Sequence, residues 1–264
     1  MRQPEVRMVC LYADRPQFLA SMLRSFRSQT YKNSRLLIYD NGRDPMDKRL
    51  ILDHTREILV RERSVIPRSI GALRNAANSL VAADIIVHAD VDDWSAPERL
   101  SEQVSLLQLA EYEAVGFNEM IFWNSACNGC EDSEPLLSDY NESENPGTNI
   151  PERWHGCALG PHLCQRRAWR YHNRDRTFGC GTSLCYWRKT WERVKFPDIG
   201  PGEDTFWIEH GVKCLGVSGI VDGEPRLIAT LHSSNTGSQI VRGSLEWQRA
   251  PEYDAKVRAI MESA

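Results

Sequence analysis

Ile85-Ile86-Val87-His88-Ala89-Asp90-Val91-Asp92-Asp93-Trp94 runs from large aliphatic residues into three carboxylates. The aliphatic run reads as a strand buried on both faces of a parallel sheet. The carboxylates at its end then stand at the C-terminal edge of that sheet, where open α/β folds bind ligands. Carboxylates crowded on one turn repel one another unless donors or a cation compensate them, and hard divalent cations such as Mg2+ or Mn2+ take oxygen ligands. The other reading of the turn is a solvated acidic cap on the helix that Pro97 opens.

Working outward, strand and helix signals alternate. Val6 to Tyr12 reads as a strand, and Arg15-Pro16 opens a helix with Phe18, Leu19, Met22, Leu23 and Phe26 at helical spacing. Leu36 to Tyr39 reads as a second strand, closed by the turn signal Asp40-Asn41-Gly42, and Ser69 caps a helix running to about Ala82. This rhythm predicts a doubly wound α/β sheet. Beyond it, Pro97 to Leu109 reads as a helix and Val115 to Trp123 as strand material. Regular patterning returns near Gly181, with helices at 190–194 and 203–210, strands at 213–217 and 226–231, and a terminal helix.

Composition sets the outer bounds. The 264 residues carry 32 Lys+Arg against 36 Asp+Glu, a net charge of -4, which argues against a surface built throughout to grip nucleic acid. No run approaches the ~18 apolar residues of a membrane-spanning helix, and the N-terminus lacks a signal-peptide core, so a cytoplasmic location is expected. In that compartment the eight cysteines should be reduced.

Several motifs occur in one order: Arg15-Pro16, Gln29-Thr30-Tyr31, Asp40-Asn41-Gly42, Gly71 through Arg74-Asn75, the Asp90-Val91-Asp92-Asp93-Trp94 turn, and Pro97-Glu98-Arg99-Leu100. Further on come Gly181-Thr182-Ser183-Leu184-Cys185-Tyr186, Trp191, Phe196-Pro197 and Gly202-Glu203-Asp204-Thr205. From Val6 to about Gly237 the chain resembles glycosyltransferase family 2. The resemblance implies a GT-A fold, a Rossmann-like α/β architecture with a mixed, mainly parallel sheet flanked by helices. It implies a nucleotide-sugar-binding half over 1–123, an acceptor-side half over 176–243, and a helix or tail over 244–264.

The resemblance also implies roles. Asp90 takes the nucleotide or ribose side, Asp92 the Mn2+ or Mg2+ ion, and Asp93 supports them. Asp40 reads the base of a nucleoside-diphosphate sugar, UDP-linked in this reading, while Arg15 and Arg74 face the nucleotide. Tyr12 stacks on the base or belongs to the core; Arg74 contacts phosphate or pairs with a neighbouring acid. An inverting transfer needs a carboxylate to take the acceptor proton. Asp204 is the candidate base and Glu203 an orienting acid, although acids at a helix start also serve capping and dipole needs. His232, after an apolar strand, is a second candidate metal ligand or else a surface histidine. His88 is read as a packed strand residue.

From 124 to 175 the pattern dissolves into a Cys/His-rich insertion. Cys127 and Cys130, with Cys157 and Cys164 beside His155 and His162, have the ligand chemistry of a structural Zn2+ site, against a second reading as unlinked thiols. The insertion ends in Arg166-Arg167, Trp169-Arg170-Tyr171-His172 and Arg174. This stretch is either a binding patch for sugars, bases or a polyanion, or a loop with solvated arginines. It keeps a hydroxymethylated base in DNA open as acceptor, beside a glycan or small molecule. A nucleotidyltransferase and a non-catalytic nucleotide-sugar-binding module are the competing readings from other classes.

Overall fold

The computed structural model describes residues 2–62, 68–109, 111–124, 167–231 and 246–263. Strand β1 (Val6–Tyr12) leads through helix α1 (Pro16–Ser28) to β2 (Ser34–Asp40) and β3 (Glu57–Arg61), and helix α2 (Ile70–Ser79) then crosses to β4 (Ile85–Asp90). These strands are parallel in the order β3-β2-β1-β4. Met8, Cys10 and Tyr12 pack with Leu19, Met22, Leu23 and Phe26 of α1, whereas Val9 packs with Leu73 and Ala77 of α2. The two helices therefore cover opposite faces, and strand addition reverses direction between β1 and β4. As the sequence predicts, the Ala72 N–H donates to the Ser69 hydroxyl at 3.0 Å to cap α2. The sequence reading passed over β3, whose only apolar residues are Ile58, Leu59 and Val60 at the sheet edge.

After the short β5 (Trp94–Ser95) come α3 (Arg99–Leu109), β6 (Ala114–Asn124), β7 (Arg167–His172), β8 (Cys185–Trp187), α4 (Arg188–Arg193) and α5 (Glu203–Glu209). Then follow β9 (Cys214–Ser218), the hairpin β10 (Ile220–Val221) and β11 (Glu224–Pro225), β12 (Leu227–Leu231), β13 (Trp247–Arg249) and α6 (Asp254–Ser263). Strand β6, buried throughout its 11 residues, is the hub. Its first half pairs with β8 antiparallel and β9 parallel; its second half pairs with β7 antiparallel and β12 parallel. Because β8 also pairs with β4, the parallel and mixed halves form one sheet.

Two boundaries differ from expectation. The predicted insertion over 124–175 and the predicted terminal helix or tail over 244–264 each contain a strand of the main sheet, β7 and β13, which pair with each other. In β7, Trp169 and Tyr171 alternate with Ala168 and Arg170, a period of two that its arginine and histidine content masks. Cys127, Cys130, Cys157 and Cys164, the expected zinc set, lie outside the described residues. Among the described residues, Cys10, Cys180, Cys185 and Cys214 are free thiols, and no helix is long and apolar enough to cross a membrane.

Candidate functional site

A cavity of about 650 Å3 opens at the C-terminal ends of β1 and β4, lined there by Ala13, Arg15 and Asp90 to Asp93. This is the reversal point of strand order, where doubly wound sheets leave a crevice for ligands. Arg74 on α2, Gly181 and Thr182, Glu203 and Asp204 at the start of α5, and Thr230 on β12 complete its polar lining.

The acidic turn is held from several sides. Thr182 donates its hydroxyl to Asp93 Oδ2 at 2.5 Å and the Thr230 N–H reaches Asp93 Oδ1 at 3.0 Å. Asp93 thus joins the turn to β12 and to the 181–183 segment. Arg15 Nη1 donates to Asp92 Oδ2 at 2.8 Å. Beneath them the fully buried Arg99 donates to the carbonyls of His88 and Thr182 at 2.8 and 2.9 Å, fixing the end of β4 against that segment. Burial draws the Arg99 pKa down to about 10 against the pull of Asp93 and Asp90, so it stays charged at neutral pH. The buried Gln29 explains its place in the motif series: its amide donates to the Ala96 carbonyl at 2.8 Å and accepts from the Leu100 N–H at 3.1 Å.

Burial raises the pKa of Asp90, opposed by Arg74 and reinforced by Asp92 and Asp204. Asp93 is pushed well up by burial and then by Asp92 and Asp90. At the other side of the cavity, Arg74 Nε donates to Glu203 Oε1 at 2.6 Å. Burial also raises Glu203 in spite of that partner, while Asp90 and Glu203 hold the Arg74 pKa above its ordinary value although burial opposes them. Asp204 accepts the Thr205 N–H at 2.7 Å, and its carboxylate lies so close to Gly181 that a Cβ there would displace it. His88 is a packed strand residue, with its ring nitrogens bonded to the Gly181 carbonyl at 2.8 Å and the Tyr186 hydroxyl at 3.0 Å. Burial lowers its pKa well below the usual value, so the ring is neutral.

The cavity thus brings together Arg15, Arg74, Asp90, Asp92, Glu203 and Asp204 from the sequence-predicted set. Arg74 pairs with the acid Glu203 and also lines the cavity. Tyr12 and Asp40 stand elsewhere. Tyr12 is 3% exposed in the core under α1. Asp40 is 1% exposed and accepts from the N–H groups of Gly42 and Met46 and from Arg61 Nη1 at 2.7 Å, so its carboxylate organises its own turn. His232 lies outside the described residues. Of the aromatic wall formed by Phe122, Tyr171, Phe178 and Trp247, which lines the same cavity, the sequence singled out only Tyr171 as a binding candidate. The signal for the wall was the alternation in β7, visible only once 167–172 is read as a strand.

Among the described residues no group of three or more His, Cys, Asp or Glu forms a ready metal centre. The donor chemistry nonetheless fits a hard cation. Asp90, Asp92 and Asp93 are buried or nearly so, and the pKa values of Asp90 and Asp93 are raised by burial first and then by the charge of neighbouring carboxylates. Mg2+ and similar ions are commonly held by one or two carboxylates plus substrate phosphates, without an all-protein cage.

A model of the family described as glycosyl transferase family 2 matches residues 8–161. No curated protein matches the chain by sequence. Among solved structures, S. aureus TarS 1–349 in complex with UDP superposes with a TM-score of 0.55 at 11% identity, over 86% of this chain and 60% of that one. TarS 1–349 in complex with UDP-GlcNAc gives 0.54 at 11% identity, over 88% and 60%. The mannosyltransferase PcManGT from Pyrobaculum calidifontis, in complex with GDP-Man and Mn2+, gives 0.53 at 14% identity, over 88% and 58%. At such identities the likeness is one of fold, and the chain spans about 60% of the length of these structures.

Proposed function

The chain belongs to glycosyl transferase family 2 and has the GT-A fold, and on that premise we propose that it is a glycosyltransferase that transfers a sugar from a UDP-linked donor to an acceptor hydroxyl with inversion. The observation that carries the proposal is the meeting of Asp90, Asp92 and Asp204 in one cavity at the β1/β4 reversal point. Asp204 is the base: it takes the proton as the acceptor oxygen bonds to the anomeric carbon, and the bond to the diphosphate breaks with its electron pair going to the leaving group. Glu203, tied to Arg74, fixes the start of α5 and so orients Asp204.

Asp90 serves the nucleotide side, and Asp92 together with diphosphate oxygens would hold Mn2+ or Mg2+. Such a cation, when bound, neutralises charge building on the departing diphosphate. Arg15 orients Asp92 through its 2.8 Å ion pair. UDP is favoured because TarS is described with UDP and UDP-GlcNAc; the GDP-Man complex of PcManGT makes guanine the competitor.

A thermal-shift panel of UDP, GDP and their sugars, each with Mn2+ or EDTA, tests this reading. A UDP species at 100 times its Kd should stabilise the protein by about 2.7 kcal/mol in Mn2+ and much less in EDTA. Response to GDP species alone would change the donor class, and no response to any nucleotide would overturn the reading.

A further inference from the structure

The wall opposite the acidic turn is made by sheet register. Tyr171 pairs with Met120 of β6 and with Trp247 of β13, and Trp169 pairs with Phe122, so these side chains share one face of the sheet. On that face Phe122 meets Trp247 edge-on with centroids 4.7 Å apart, and Tyr171 lies 5.0 Å from Trp247 and 6.1 Å from Phe178. Phe122 is buried, whereas Tyr171 and Trp247 keep part of their surface open and line the cavity that also holds Asp204.

The two arginines of the same strand divide between its faces, and neither lines the cavity. Arg170 falls on the opposite face and pairs with Glu119. Arg167 shares the register face of Trp169 and Tyr171, but of this strand only Tyr171 reaches the cavity. Six carboxylic side chains and three guanidinium groups line the cavity, which disfavours a polyanion beside Asp204. A pyranose ring offers the matching surface: a face of C–H groups for aromatic contact and hydroxyls at its rim for polar groups.

We propose that Trp247 and Tyr171 form the acceptor subsite and that the acceptor is an uncharged pyranoside, its ring laid on these two side chains with one hydroxyl presented to Asp204. Glu246, beside Trp247 in the cavity lining, accepts from a second hydroxyl. This assignment rests on the glycosyltransferase reading above and adds the substrate class to it.

Saturation-transfer NMR on the full chain with UDP and Mg2+ tests it, using methyl glycosides of glucose, galactose, mannose and N-acetylglucosamine as probes. At least one should receive saturation, concentrated on ring C–H protons. Trp247→Ala should weaken that binding tenfold or more and Trp247→Phe less than threefold, while UDP still raises the melting temperature of both variants, showing that they fold. Three outcomes would overturn the subsite while leaving the transferase standing: no saturation of any glycoside although UDP stabilises the wild type, unchanged binding in Trp247→Ala, or displacement of the glycosides by hydroxymethylcytosine DNA. Failure of UDP to stabilise the wild type would strike the transferase reading instead.

Discussion

Arg74 on α2 and Glu203 at the first position of α5 form an ion pair of 2.6 Å with side chains only 10% and 4% exposed. The pair joins the helix that precedes the acidic strand to the helix that carries Asp204. Removing one partner from a buried pair strands the other charge, at a cost of about 3–5 kcal/mol. Glu203→Gln keeps the shape and one acceptor and leaves Arg74 beside Asp90, so a loss below that range, about 1–3 kcal/mol, is expected in urea unfolding at neutral pH. A loss below ~1 kcal/mol would place the pair among those solvent screens.

Gly181→Ala should separate catalysis from binding. A Cβ at this position would meet the Asp204 carboxylate, so one of the two must move. Displacement of a reacting group by about 1 Å can cost ~10²-fold in rate. The expected result is a fall in kcat of ten- to a hundredfold with the UDP thermal shift retained. Unchanged kcat would remove Asp204 from the reaction centre.

How far the sequence could be read depended on whether a feature was local. The β4 strand and its acidic end, the Ser69 cap and the Pro16 start each follow from a few adjacent residues, and the structure has them where expected. The convergence of Asp92 with Asp204 needed only the family order of motifs. The two readings of Tyr12 could not be separated locally because its face depends on strand parity: with Met8 and Cys10 it packs under α1. The pairing of Asp40 with Arg61 was not legible because Arg61 sits on β3, a strand too short and polar at its ends to register. The aromatic wall needed the pairing register of β6, β7 and β13, which no single segment encodes.

Asp92→Asn tests the cation. The substitution keeps the volume and an oxygen facing Arg15 but removes the charge that would hold Mn2+. The EDTA-sensitive part of UDP stabilisation should disappear, and transfer should fall by at least ~10²-fold, the scale of losing a main electrostatic stabiliser. Metal-dependent stabilisation equal to wild type would move the ligand role to another side chain.

Acid sensitivity should arise in part far from the cavity, at Glu57. Arg27 grips this buried carboxylate with Nε at 2.6 Å and Nη2 at 2.8 Å, and the Leu52 N–H adds a bond at 3.1 Å. Burial pushes its pKa up, but these donors outweigh it and hold the value below the ordinary 4.5. A depressed folded-state pKa means that the unfolded chain binds the proton first as pH falls. The stabilisation is therefore complete above 4.5 and is lost as pH drops through the folded value. Glu57→Gln should lose about 2 kcal/mol at pH 7, in the range for hydrogen bonds to charged groups. The gap to wild type should close as pH falls below 4.5 in urea midpoints, and a pH-independent gap would contradict the assignment.

Asp204→Asn removes the base while leaving its geometry nearly intact. Asparagine Oδ1 can still accept the Thr205 N–H, and its amide fits beside Gly181 as the carboxylate does. Nucleotide stabilisation and unfolding midpoint should therefore stay near wild type. Transfer should fall by about 10²–10⁴-fold, the contribution of a positioned general base. Restoration of part of the rate at high pH, where a more ionised acceptor hydroxyl needs less help, would mark the loss as one of proton abstraction. A fully active Asp204→Asn enzyme would pass the base role to another carboxylate of the cavity.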